Sequence, residues 1–275
     1  MSDLLAIRIG TMTCKQGEMF APSSTEGALT PLPRALCNRP ALLNTCDPDA
    51  TIQYDCLAFL VRSDERLVLI DPGFDNPLLA EQMECSAYHP IEEMLARINV
   101  QTSKITDVIL SHAHWLNIGS LQHFLKARVY ISIRELNAME RALEGSRNCR
   151  LAYRFEDMRN LGRVSRLRMV KRGQAVTENV RVDVIGGHTQ GHLLVTYMVD
   201  GKSRVLLAGD NAPLYRHLQG ENLPEGWCAG DEGARERLKS RCYYAFALPG
   251  RDPQIMKRYP EIAPGIVRIM GSEFH

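Results

Sequence analysis

Four short apolar runs in this 275-residue chain each stop at a residue suited to chemistry. Leu67-Val68-Leu69-Ile70 runs into Asp71-Pro72-Gly73, and Asp107-Val108-Ile109-Leu110 into Ser111-His112-Ala113-His114. The run at 180–185 ends at Gly186-Gly187-His188, and Leu206-Leu207-Ala208 ends at Gly209-Asp210. Brief apolar runs bounded by turn residues read as buried strands. Further strands are expected at 57–61, 129–131, 193–199 and 243–248. Between them, Ile91, Met94, Leu95 and Ile98 repeat at helical spacing within 90–99, and helices are expected at 133–144 and near 231–241. Two strand-rich halves, each closed by helices and with no Pro/Gly/Ser linker between them, predict one layered α/β sandwich domain over residues 1–270.

Composition narrows the function. The chain is 45% apolar and 24% charged, which suits a globular protein and excludes disorder. Lys plus Arg is 33 against 32 Asp plus Glu, so no global field favours nucleic acid or an anionic membrane. No apolar run approaches the roughly 18 residues of a membrane span. Met1–Arg8 lacks a secretion signal, and the eight cysteines form no CxxC pair, so reduced thiols and a cytoplasmic location are expected. Residues 271–275, Gly-Ser-Glu-Phe-His, read as a vector or tag scar.

Two segments stand apart from the strand pattern. Segment 17–55, with Pro22, Pro31, Pro33, Pro40 and Pro48, reads as a long irregular loop, either a lid or a plain tether. Segment 133–172 reads as a basic helical cap. Nine Arg/Lys within 147–172 face only Glu156 and Asp157. That excess suits a solvated face, a homodimer contact or the attraction of a small anionic substrate. Few aromatics interleave it, which argues against nucleic acid.

The histidines carry the chemistry. His112 and His114 stand two apart after a strand, so an extended backbone points both imidazoles the same way. His188 and Asp210 also follow strands. A lone histidine at a strand end is ordinary polar surface; three with an aspartate, in order and beside glycines, point to a metal site. Three neutral imidazoles around zinc, with an open fourth position, bring bound water to a pKa of about 7 and suit hydrolysis. Two other readings use the same residues. His112, His188 and Asp210 could form the facial triad of a mononuclear non-haem iron oxygenase, or the scaffold could serve non-hydrolytic biosynthesis or binding and regulation alone.

Ser-His-Ala-His-Trp at 111–115, Gly-Gly-His-Thr-Gln-Gly-His at 186–192, Gly-Asp at 209–210 and Pro-Gly-Arg-Asp at 249–252 together resemble the metallo-β-lactamase superfamily, nearest its N-acyl homoserine lactonase-like hydrolases. The resemblance implies a four-layer αββα sandwich and hydrolysis of a lactone, ester, thioester or amide. It maps the first-metal histidines onto His112, His114 and His188, and the bridging carboxylate onto Asp210. The departures fall on the second metal. Where the family has His-x-His-x-Asp-His, this chain has His112-Ala113-His114-Trp115-Leu116-Asn117, and Arg251 replaces the last histidine. A single divalent ion, zinc before iron, is therefore expected. Arg251 and Asn117 are expected to polarise or anchor the substrate, Trp115 to form an apolar wall, and Tyr215 to stand where lactonases carry an assisting tyrosine. Asp71 is read as supporting a ligand loop and His192 as part of its turn. His89, His123 and His217 are read as surface or packing residues.

Overall fold

The computed structural model describes residues 2–19, 47–63, 65–145, 152–199, 203–220, 233–242 and 245–270. It begins with a strand the sequence pattern conceals. β1 (Asp3–Lys15) pairs antiparallel with β2 (Thr51–Arg62) along most of its length. Leu5, Ile7 and Ile9 are buried on one face of β1 and Leu4 and Ala6 on the other. A strand buried on both faces shows no polar alternation. β2 also corrects the expected loop: Thr51–Asp55 are strand, and Gln16–Glu18 form a 3-10 turn. Residues 20–46 of that segment lie outside the described residues, as do 271–275.

The chain continues through β3 (Leu67–Ile70), α1 (Pro77–Gln82), α2 (Ile91–Ala96), β4 (Asp107–Ile109), α3 (Trp115–Ile118), β5 (Arg128–Ser132), α4 (Ile133–Glu144), α5 (Phe155–Gly162) and β6 (Arg166–Val170). Strands β3 to β6 run parallel. α4 spans the predicted helix, and Ser132 starts it by accepting the Arg134 N–H on its hydroxyl at 3.1 Å. The basic cap needs correcting: its last part is not helical. Arg166 and Arg168 lie on β6, the edge strand of the sheet, where exposed charge discourages edge-to-edge pairing.

The second half supplies β7 (Gln174–Ala175), β8 (Val180–Val184), β9 (Leu193–Met198), β10 (Arg204–Leu207), α6 (Tyr215–Leu218), α7 (Ala234–Cys242), β11 (Phe246–Leu248), α8 (Gln254–Arg258), β12 (Glu261–Ala263) and β13 (Ile266–Met270). Among the described residues the order is β12-β13-β1-β2-β3-β4-β5-β6 in one sheet and β11-β10-β9-β8-β7 in the other. One apolar cluster lies between the sheets, joining Phe59, Ile70 and Ile109 to Val182, Val195 and Leu207. A second packs the outer face of the larger sheet (Leu60, Leu69, Val108) under Ile91, Met94, Ile118 and Met139 of the helices. α7 buries Leu238 and Cys242 with the smaller sheet. The result is an αββα sandwich. No helix among the described residues is long and apolar enough to cross a membrane.

The sandwich matters for function because of one edge. The chain leaves β3 at Asp71, β4 at Ser111, β10 at Asp210 and β11 at Arg251, and the Leu193 N–H bonds the Ser111 carbonyl at 2.8 Å, joining the sheets there.

Candidate metal centre

Ring nitrogens of His112, His114 and His188 all lie within 4.8 Å of one another. The rings meet edge to face: His112 stands 4.6 Å from His114 and 5.0 Å from His188, and His114 lies 4.8 Å from His188. His188 Nε2 and His114 Nδ1 are 3.1 Å apart. His112 is fully buried, and its Nε2 has no hydrogen-bond partner. A buried nitrogen without a partner, aimed among two other imidazoles, fits a cation better than solvent. Burial, then the neighbouring His112 and His188, holds the pKa of His114 well below the usual imidazole range, so it presents a lone pair at neutral pH.

Asp210 closes the cluster. Its Oδ2 lies 3.4 Å from His112 Nε2 and 3.7 Å from His188 Nε2. Burial alone would raise this carboxyl, but Arg251, with His112 and His188, holds it well below the ordinary carboxylate range. The contact with Arg251 is bidentate: Nε donates to Oδ1 at 2.8 Å and Nη2 to Oδ2 at 3.0 Å. Nη2 also donates to Asn117 Oδ1 at 2.7 Å. Arg251 is 3% exposed; burial disfavours its charge, yet Asp210 raises its pKa, so it stays cationic. Beside this triad a cavity of about 10 Å³, lined in part by Asp71, Ser111, Asn117, Asp210 and Gly250, has room for one water. The buried Cys56 thiol is pushed up to about 12 by burial, with Arg251 pulling the other way, so it remains neutral.

The supports reach further than the sequence reading. Asp71 accepts the Ser111 N–H on Oδ1 (2.7 Å) and the Ser111 hydroxyl on Oδ2 (2.6 Å), and that hydroxyl lies 3.0 Å from His112 Nδ1. Asp71 therefore orients His112 through Ser111. His192 is fully buried, stacks on His112 at 5.1 Å and meets Asn211 Nδ2 through Nδ1 at 3.1 Å. It packs against Gly209, whose φ of +57° and lack of a Cβ allow the approach. Glu135 and Tyr153 escaped the sequence reading. Glu135 is fully buried beneath both ligand loops, and the Tyr153 ring lies 4.8 Å from that of His114. Nothing local distinguishes Glu135, one of several charged residues in an amphipathic helix.

Other candidates fall nearby or elsewhere. Trp115 is buried beside the ligands under the Arg154 guanidinium, 4.8 Å from its ring. Tyr215 is buried with its ring 3.8 Å from Arg258, and its N–H donates to Asp252 Oδ2 at 2.8 Å. His89 pairs with Glu93, His123 with Asp75, and buried His217 lies 2.8 Å from the Met19 carbonyl through Nε2.

Comparison with known proteins agrees with this fold. No curated protein matches the sequence. Among solved structures, a quorum-quenching N-acyl homoserine lactone lactonase superposes with a TM-score of 0.69 at 17% identity, covering 96% of this chain and 98% of its own. A dizinc quorum-quenching lactonase in complex with its product gives 0.66 at 19% identity, covering 98% and 95%. A probable metal-dependent hydrolase from Staphylococcus aureus gives 0.70 at 17% identity, covering 91% and 89%. Identities this low establish the shared fold. The family model of the metallo-beta-lactamase superfamily matches residues 52–254, through every strand that ends at the site, and the chain belongs to that superfamily.

Proposed function

We propose that the protein is a single-metal hydrolase that opens a lactone, ester or amide carbonyl in a small substrate, with Arg251 in place of a second cation. The observation that carries this reading is the two-point contact of Arg251 with Asp210 and its third contact with Asn117. The guanidinium supplies a fixed positive charge against the carboxylate's outer edge. It cannot ionise water, so that task falls to the histidine side.

His112, His114 and His188 would hold the cation, with Asp210 Oδ2 at its flank. A divalent ion there lowers the pKa of water and polarises a carbonyl oxygen. Asp210, kept ionised by Arg251, orients the attacking water. Asn117 gives its Oδ1 to Arg251, leaving its amide N–H groups for the developing oxyanion. Asp71, through Ser111, keeps His112 in one orientation. Trp115 and Tyr153 wall the site with apolar surface. Tyr215, engaged with Arg258, is a weaker candidate for that oxyanion than Asn117. Zinc suits the three-imidazole donor set. The iron facial-triad reading is less favoured, because it leaves His114, 3.1 Å from His188, without a role. Arg154, stacked on Trp115, suits a substrate bearing a carboxylate or another anion.

The test is elemental analysis of protein purified without added metal, beside His112→Ala and His188→Ala. One zinc per chain, lost in both variants, with turnover of lactones or esters, is expected. Two metals per chain, or content unchanged in the variants, overturns the reading.

A further inference from the structure

We propose that Glu135 is the positioning residue of the metal centre: its buried carboxylate clamps the two ligand loops, 111–114 and 188–192, to the first turn of α4 and so spaces the imidazoles before a cation binds. The proposal rests on the metal-centre reading above.

The contacts are divided between the loops. Glu135 Oε1 accepts the Ala113 N–H at 3.0 Å and the Tyr153 hydroxyl at 3.1 Å. Oε2 accepts the Thr189 hydroxyl at 2.5 Å and the Gly191 N–H at 3.3 Å. Ala113 sits between His112 and His114, Thr189 follows His188, and the Tyr153 ring rests against His114. One carboxylate therefore reaches a neighbour of every histidine ligand while touching none of them.

Two features show that the arrangement is built around a carboxylate. Glu135 is fully buried, and each of its four contacts is a donor directed at a carboxyl oxygen. It also lies in the first turn of α4, where helix N–H groups favour negative charge. The 188–192 loop comes so close that a Cβ on Gly191 would stand 2.1 Å from the Glu135 backbone nitrogen, so only glycine fits there. A ligand loop seated this tightly on a helix cannot shift unless the clamp is released.

Glu135→Gln tests the clamp at almost constant volume. Its oxygen still accepts from one loop, but the new NH2 faces the Gly191 N–H, donor against donor. The apo protein, Glu135→Gln, the milder Thr189→Val and the surface control Glu93→Gln would each be titrated with zinc against a chromophoric chelator. Apo thermal unfolding would be followed in parallel, with cobalt(II) absorption as a spectroscopic probe of ligand geometry. A 10–100-fold weaker zinc affinity in Glu135→Gln is expected. A several-fold loss in Thr189→Val, no change in Glu93→Gln and altered cobalt bands in Glu135→Gln should accompany it, with the apo Glu135→Gln protein still unfolding cooperatively at a lowered midpoint. If Glu135→Gln does not fold, Thr189→Val decides alone. Wild-type affinity and unchanged cobalt bands in the clamp variants, with binding still abolished by His112→Ala, overturn the clamp and leave the metal centre standing. A wild-type protein that binds neither metal overturns both.

Discussion

The two sides of the rim solve the same electrostatic problem differently. On the histidine side three nitrogens converge and His112 Nε2 has no hydrogen-bond partner. On the arginine side both oxygens of Asp210 and the Asn117 oxygen are answered by one guanidinium. The first side is arranged to receive a positive charge; the second already contains one. Asp210 stands between them, with Oδ2 near both His112 and His188 and both oxygens held by Arg251. On the proposed reading, charge is divided between an ion that would activate water and a covalent cation that holds position.

The largest effect is expected from erasing the difference. On the single-metal reading, Leu116→Asp, Asn117→His and Arg251→His combined supply the His-x-His-x-Asp-His pattern and a late histidine, and elemental analysis is expected to find two metals per chain in place of one. An unchanged count would show that Arg251 is not what excludes the second ion.

Removing only the built-in cation should harm the fold. Arg251→Ala leaves Asp210 and Asn117 buried without their partner, and urea unfolding is expected to show a loss of about 3–5 kcal/mol. Wild-type stability would mean that solvent reaches the arginine side freely.

The histidine side leans on Tyr153, just before α5, and α5 carries a testable weakness of its own. Asp157 is 4% exposed, Oδ2 has no hydrogen-bond partner, and burial pushes the carboxyl up to about 7. Its folded pKa lies above its unfolded value near 3.9, so the folded state binds more protons between those values. Stability should therefore fall as pH rises from about 4 to 7. Asp157→Asn should flatten that slope and add about 2–4 kcal/mol above pH 7, read by unfolding at several pH values. A slope identical in both proteins would contradict the burial argument.

The smallest effect concerns the mouth of the site. Arg154→Ala, which removes the cation over Trp115, should raise KM several-fold for an anionic substrate, about 1 kcal/mol, while leaving kcat and neutral substrates nearly unchanged. Equal effects on charged and neutral substrates would assign Arg154 to packing.

Much of the site was legible because its signals are local. Strand periodicity places His112, His114, His188 and Asp210 at strand ends, and two-residue spacing turns His112 and His114 to one side. Asp71 announces itself in the same way, at the end of β3. β1 was missed for the opposite reason: its first part, Leu4–Ile7, is buried on both faces and carries no alternation to read. The boundary of β2 and the strand character of Arg166–Val170 depended on which partner strand each found, which no window of sequence contains.

The amino-acid sequence by itself determined which residues could bind a cation, because ligand chemistry resides in side-chain identity. Tertiary structure decided what those residues do together. Arg251 meets Asp210 across 41 positions and Asn117 across 134, and Glu135 meets Thr189 across 54. Such pairings follow from how two sheets and their helices pack, since only packing brings distant polar groups into water-poor contact where a single hydrogen bond or ion pair fixes geometry.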